Sequence, residues 1–309
     1  MPDSGGSAFT LNILENDLSD FVRRFLIENT QVRGEFARLD DSWQAMQAGT
    51  DMPPGVRLLL GQACAGAVLL AATIKFDGRL TVQVSSSGPL RLLLVQASSD
   101  GALRATARWD EDIPAGTDLG ELCPEGYLMI SVDTGKGEPY QGLVSLPGPT
   151  LAAAFDEYFA VSDQLPTRFW LASDERRAAG LLLQRLPAEA GEVGDADDWD
   201  RCHLRAATVS GEELLTLSAE TLVRRLFAGD DVRLYAPQPV FFRCDCSRER
   251  VGAMLRALAN AELEELVDDA LGGISVACEF CATAYLFDVL DLRQLEDADS
   301  VATPSRTRH

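Results

Sequence analysis

Two short-spaced cysteine pairs constrain this chain more than any other feature. They are Cys244-Asp-Cys246 and Cys278-Glu-Phe-Cys281, with 31 residues between them. Each pair offers two sulfurs on one tight turn, and a fold that brings the turns together makes a tetrahedral four-cysteine zinc site with Zn–S distances of about 2.3 Å. The intervening residues fit a small domain. Ser247 is placed to cap a helix with Val251, Met254, Leu255 and Leu258 on one face. Asn260 is placed to cap a second helix, AELEELVDDAL, which Gly272 and Gly273 can end. ISV and ATAYLF then flank the second pair as a hairpin. A unit of roughly 60 residues is small enough to lean on its metal for stability.

Spacing alone leaves two roles open for the metal. In one, zinc only holds the fold together. In the other it can be released. A helix start directly after Cys246, with Arg243, Arg248 and Arg250 nearby, favours thiolate over thiol. A CxC pair can also close on itself, but its very small ring would be strained and therefore oxidising. A purely structural site has no need of that arrangement, so the residues point to a zinc clasp that an oxidant can open.

The remainder of the sequence limits partners and compartment. The chain has 309 residues, 48 Asp and Glu against 27 Lys and Arg, and a net charge of −21. That charge repels phosphate backbones and anionic lipid, which argues against nucleic-acid and membrane-surface roles. Residues 241–300 hold 13 acids and 5 arginines, so a nucleic-acid zinc ribbon is opposed at the cysteine pairs themselves. The first residues, MPDSGGSAFTLNILENDL, lack the basic and apolar regions of a secretory signal. AGAVLLAATI, the most apolar run at residues 65–74, is too short on its own to span a bilayer. The expected compartment is the cytoplasm, where thiols stay reduced, and the odd count of seven cysteines agrees.

Periodicity predicts an α+β fold: an N-terminal core domain of antiparallel sheet and helix (1–186), an acidic linker with amphipathic helices (187–231), a small C-terminal four-cysteine zinc domain (232–299) and a flexible tail (300–309). In the core domain, VRGEFARLD reads as a strand and residues 53–76 as a buried helix. RLTVQV, LRLLLV and ALRATARW read as a meander, and YLMISVD with YQGLVSL as a hairpin. TLAAAFDEYFAV reads as a helix burying Leu151, Phe155, Tyr158 and Phe159, followed by strands TRFWLAS and GLLLQRL. Residues 187–200 carry six acids and no base and read as a solvated linker. GEELLTLSAETLVRRLFAGDD (211–231) spaces Leu214, Leu217, Leu222, Leu226 and Phe227 for a face that another surface must cover.

Other centres are weaker. Cys64, Cys123 and Cys202 are isolated and read as inert, Cys64 within an apolar helix. Only His203 and His309 are histidines, so a Ser-His-Asp or Cys-His centre would rest on His203, and RCHL reads as a linker contact rather than a metal pair. TGKGEP lacks the full phosphate-loop pattern and reads as a hairpin turn. The alternative function is a thiol-disulfide oxidoreductase acting through CEFC. That motif should open a helix after a strand, whereas β-type runs flank it on both sides, and the CxC would have no role.

VRGEFARLD, AATIKFDG, GEPYQGLVSLPG, EYFAVSDQLPTRFWLA, EELLTL, CDCSRER and CEFCATAYLF together give the chain, over roughly residues 16–290, a close resemblance to the redox-regulated 33-kDa heat-shock chaperonin family, heat shock protein 33. One departure is Ala282, where the family often has Gly, a residue better suited to positive φ. The resemblance implies an ATP-independent holdase without catalytic residues. Cys244, Cys246, Cys278 and Cys281 would hold one zinc per chain in a reduced, inactive monomer. Oxidants would form Cys244–Cys246 and Cys278–Cys281 disulfides and expel the zinc. The active form would dimerise and bind unfolding client proteins.

Overall fold

Helix Pro54–Thr73 has no polar stripe, and the fold shows why. In the computed structural model its 20 residues run between two sheets, so nearly every face is buried. It is long and apolar enough to cross a membrane, which the run at 65–74 taken alone is not, yet two thirds of its apolar window lies inside the protein. The structure describes residues 18–110, 113–114, 116–146, 148–162, 165–187, 195, 197–258, 272–288 and 290–291. They fall into two compact units, Met1–Arg243 and Cys244–His309.

Among the described residues the first unit holds, in chain order, β1 (Phe21–Ile27), β2 (Val32–Leu39), α1 (Asp41–Gln47) and the central helix α2 (Pro54–Thr73). The meander β3 (Arg79–Ser85), β4 (Leu90–Ser98) and β5 (Ala102–Trp109) follows. Next come the short α3 (Leu119–Leu122), β6 (Tyr127–Asp133), β7 (Tyr140–Ser145), α4 (Leu151–Ser162), β8 (Thr167–Ser173) and β9 (Ala178–Arg185). Helices α5 (Asp198–Ala206), α6 (Gly211–Thr216) and α7 (Ala219–Leu226) precede the short strands β10 (Val232–Leu234), β11 (Gln238–Pro239) and β12 (Phe241–Phe242).

One sheet runs β10-β1-β2-β9-β8, with β11 also on β1; the other runs β12-β5-β4-β3-β6-β7. β12 lies parallel to β5, and the other pairings are antiparallel. The meander, the β6–β7 hairpin and the α4 face form as the sequence predicts, with Leu151, Phe155, Tyr158 and Phe159 buried.

Close approach explains a glycine inside α2. A Cβ on Gly66 would sit 2.4 Å from Phe155 Cε2, so only hydrogen lets α4 pack there. The open carbonyls at the end of α2 are met from β1 and β2: Arg24 donates to Ala72 O (2.7 Å) and Arg33 to Thr73 O (3.3 Å).

The first sheet is covered on both faces. Val22, Ala37, Ala178 and Leu182 face α2, while Phe25, Phe36, Leu181 and Leu183 face the helices after residue 197. That second cover is Cys202 and Ala206 of α5, Leu214 of α6, and Leu222, Val223, Leu226 and Phe227 on and after α7. A capping box at Ser210–Glu213 starts α6, and Ser218 caps α7. Polar anchors hold the cover down. Arg177 grips the Asp40 carboxylate through two bonds of 2.6 Å and also donates to Leu215 O, while Arg38 donates to Leu217 O. Asp230 accepts from both Arg201 and Arg205, tying α5 to the chain after α7.

Two expectations change here. The stretch 187–200 does not stay a solvated linker to its end: Asp198 starts α5 and is buried, because Trp199 and Cys202 find the sheet face. Residues 232–243 group with the first unit rather than with the cysteines, since β10 and β11 pair with β1, and β12 with β5.

The second unit contains α8 (Arg248–Arg256) and the hairpin β13 (Gly273–Ala277) with β14 (Ala284–Asp288). Its buried apolar side chains among the described residues are Val251, Leu255, Ile274 and Phe287, with Leu258, Val276 and Tyr285 packed against them. Met254, expected on the buried face, is exposed. The expected second helix at 260–271 lies outside the described residues, as do most of the acidic linker and the tail.

Candidate metal centre

Local chemistry forms each cysteine turn. After Cys246 the chain turns into α8, whose first turn is closed by Ser247 Oγ accepting from Arg250 N (3.3 Å). Cys278 and Cys281 sit in the loop of the β13–β14 hairpin, where Ala282 N donates to Cys278 O (2.8 Å) and Cys278 N to Thr283 O (2.9 Å). Closing this loop puts Ala282 at φ +55°, the left-handed region in which the missing glycine would be unstrained. The antiparallel setting also differs from the strand-to-helix step that a thioredoxin-like CxxC needs.

The structure brings Cys244, Cys246, Cys278 and Cys281 together, with all four Sγ atoms within 4.8 Å of one another. The short edges cross between turns: Cys244 Sγ to Cys278 Sγ is 3.6 Å and Cys246 Sγ to Cys281 Sγ is 3.3 Å. These are not disulfides. Sulfurs about 2.3 Å from a central tetrahedral ion would lie roughly 3.8 Å apart, so the set fits a thiophilic cation such as zinc in size, number and donor type.

Electrostatics favour a cation as well. Burial pushes Cys244 up to about 12. Cys246 is also raised: the Tyr285 hydroxyl pulls it down, but burial and Cys281 outweigh that bond. Burial opposes the thiolate at Cys281 too, yet the Thr283 side chain and backbone hold it down at about 7. Crowded sulfurs left to themselves cannot all be thiolates near neutral pH, and a dication among them removes the conflict.

The arginines expected to sit against the sulfurs have other engagements. Arg243 pairs with Asp100 (2.7 Å) within the first unit. Arg248 donates to Leu286 O (2.5 Å) and Asp291 (2.6 Å) and lies 4.4 Å from the Phe287 ring centroid, pinning α8 to the hairpin. Arg250 donates to Asp245 O. The side chains that do reach sulfur are hydroxyls that sequence reasoning passed over. Tyr285 Oη donates to Cys246 Sγ (3.1 Å), and Thr283 Oγ1 lies 3.2 Å from Cys281 Sγ. The signal for Tyr285 is the alternation of β14, which turns it inward with Phe287; Thr283 precedes that strand, is exposed and carries no such signal.

The remaining candidates stay apart from this cluster. Cys64, Cys123 and Cys202 are buried in the first unit and burial raises all three, Cys202 to about 11, as inert core thiols require. His203 lies against the rings of Trp199 and Trp170, each centroid 6.0 Å away.

Fold and site thus define an α+β protein of two units, the second gathering four cysteines into a cluster with the size and donor set to hold a metal ion. The Hsp33 protein family model matches residues 20–288. A 33 kDa chaperonin from Pseudomonas paraeruginosa is 46% identical over 294 residues, 94% of this chain and 99% of that protein. One from Nitrosococcus oceani is 46% identical over 290 residues, with the same shares covered. The crystal structure of a 33 kDa chaperonin, a heat shock protein 33 homolog, from Thermotoga maritima is similar with a TM-score of 0.78. It covers 92% of this chain and 99% of its own at 21% identity, a likeness of fold. The chain belongs to the Hsp33 family.

Proposed function

We propose that this protein is a redox-regulated, ATP-independent holdase chaperone of the cytoplasm, inactive when reduced and zinc-bound. The carrying observation is four cysteine sulfurs within 4.8 Å of one another, in a unit whose described buried core is four apolar side chains. Cys244, Cys246, Cys278 and Cys281 would hold one zinc per chain. When bound, zinc supplies a cross-link worth on the order of 10–16 kcal/mol, more than so small a core provides.

Activation follows from the chemistry of the ligands. An oxidant such as peroxide or hypochlorite takes two electrons from each pair, giving Cys244–Cys246 and Cys278–Cys281 disulfides. Disulfide sulfur carries no charge to hold a dication, so the helix turn and the hairpin lose their link. Cys244 continues directly from β12, β11 and β10, strands of two or three residues at the sheet margins. Unfolding that spreads back along the chain therefore reaches α5–α7 and the sheet they cover. It bares Leu222, Leu226 and Phe227 on one side and Phe25, Phe36 and Leu181 on the other. Such a surface suits unfolding clients and a second copy of the chain, so the active form is a homodimer and the reduced form a monomer. The net charge of −21 keeps the loaded complex soluble and away from nucleic acid and anionic membranes. No catalytic group is assigned.

The test pairs zinc quantitation and thiol titration with an aggregation assay on a heat-denatured client. Reduced protein should carry one zinc and leave aggregation unchanged. After hypochlorite, four of the seven thiols and the zinc should be gone, and aggregation should slow without ATP. Oxidised, zinc-free protein that fails to slow it would sink the proposal.

A further inference from the structure

Where the two sheets part, at the C-terminal end of α2, the first unit holds a cleft of about 410 Å³, within the roughly 300–1,000 Å³ of small-molecule sites. Val68 and Ala71 of α2, Ile74 and Phe76 beyond it, and Leu103 of β5 give it an apolar wall. Gln238, Pro239 and Val240, from β11 onwards, form another. That segment is stitched to both sheets: Val240 N donates to Asp20 O (3.1 Å) just before β1, and Phe241 N to Gly101 O (3.0 Å) in the β4–β5 turn. Gly101, at φ +90°, permits the approach, since a Cβ there would lie 2.5 Å from Pro239 O.

Two opposite charges line the mouth without pairing to each other. Asp100 is taken by Arg243 (2.7 Å). Lys75 is exposed and, among the described residues, has no carboxylate partner. Ser99 Oγ accepts from Gly78 N (3.1 Å), which leaves its hydrogen to donate. The carbonyls that end α2 would repel an anion, but Arg24 and Arg33 already meet them. An apolar wall below one unengaged cation and a hydroxyl donor is the complement of an alkyl carboxylate. The net charge of −21 opposes extended anionic partners, whereas one carboxylate beside Lys75 is governed by charges within roughly 10 Å.

We propose that this cleft binds a straight-chain carboxylate, its chain along the apolar wall and its head at Lys75 and Ser99. At about 30 Å³ of liquid volume per small heavy atom, as for water, the cleft takes roughly a dozen non-hydrogen atoms, the size of octanoate or decanoate. Because residues 238–240 form part of the wall, the occupant keeps its full contacts only while that segment is docked. Binding therefore holds the segment down, by about elevenfold at ten times the Kd, and release of the segment weakens binding by the same factor. The regulatory consequence rests on the proposed function, in which loss of zinc reaches α5–α7 through this stretch of chain.

The test uses reduced full-length protein with octanoate and its neutral counterpart octan-1-ol. Calorimetry should show one octanoate per chain, bound about threefold or more tighter than octan-1-ol, as suits an exposed charge. Lys75→Met keeps the side-chain length and removes the charge. It should bring that ratio to about one and leave octan-1-ol binding within about twofold. Amide hydrogen exchange over residues 238–243 should slow by about tenfold at ten times the Kd of octanoate, with β6 and β7 unchanged. Ala71→Leu, which fills the cleft, is the second variant and should abolish binding of both compounds. Wild type that binds no octanoate, or binds it without protecting residues 238–243, would overturn the site. The regulatory consequence is read separately, after hypochlorite. Octanoate should delay the suppression of client aggregation by wild type and not by Ala71→Leu; unchanged timing beside bound octanoate would overturn the hold on the segment. Oxidised, zinc-free protein that never suppresses aggregation, with or without octanoate, would overturn the proposed function and leave the binding site standing.

Discussion

At the scale of single residues, the second unit carries a visible compromise at Ala282. The cysteine loop needs a left-handed residue, and Ala282 supplies it at φ +55°. A side chain there costs roughly 1–2 kcal/mol of backbone strain, while glycine gives back part of that through its freer unfolded chain. Ala282→Gly should therefore stabilise the zinc-bound unit by about 0.5–1 kcal/mol, read as a higher denaturation midpoint for that unit. Spacing alone made the four cysteines legible, because metal ligation demands two donors on one turn and the chain writes that locally. The hydroxyls of Tyr285 and Thr283 were not legible. They reach sulfur only because the hairpin register sets Ala277 opposite Ala284 and Val276 opposite Tyr285.

Among the elements, α7 shows how a cover differs from a tether. Its Leu222 is wholly buried against the first sheet, beside Leu226 and Phe227. Leu222→Ala should cost about 2–5 kcal/mol, lowering the unfolding midpoint of the first unit. In reduced, zinc-loaded protein it should also raise binding of an apolar dye and, on the proposed function, slow client aggregation before any oxidant is added. Leu214, Leu222 and Phe227 were readable as a helical stripe because they repeat at the right period. Helix α5 escaped notice, since it starts inside the strongly acidic stretch 187–200 that reads as solvated, with Trp199 within it and the other sheet-facing residues, Cys202 and Ala206, just beyond its end. Strand β1 escaped for the opposite reason. Covered on both faces, FVRRFLI shows no alternation to recognise. Strands of two or three residues, such as β10–β12, are too short to carry a period at all.

For the whole molecule, the contrast between the units makes metal removal informative. The first has a core of two large buried clusters, and the second buries four apolar side chains among its described residues. A zinc chelator acting on reduced protein should open residues 244–288 to protease and leave the first sheet and α2 resistant; a uniformly resistant chain would show that the cluster bears no structural weight. The amino-acid order by itself determined the two chemistries that matter: four sulfurs in ligand-like pairs, and an acidic, patterned chain able to fill a sizeable α+β core. Both are properties of near neighbours, where turns and periodicity act. Tertiary structure alone decided that α5–α7 close the second face of a sheet and that residues 232–243 join the first unit. It also decided which sulfurs meet a hydroxyl. Those outcomes depend on surfaces from distant parts of the chain finding each other, and burial rewards such meetings without leaving a local trace.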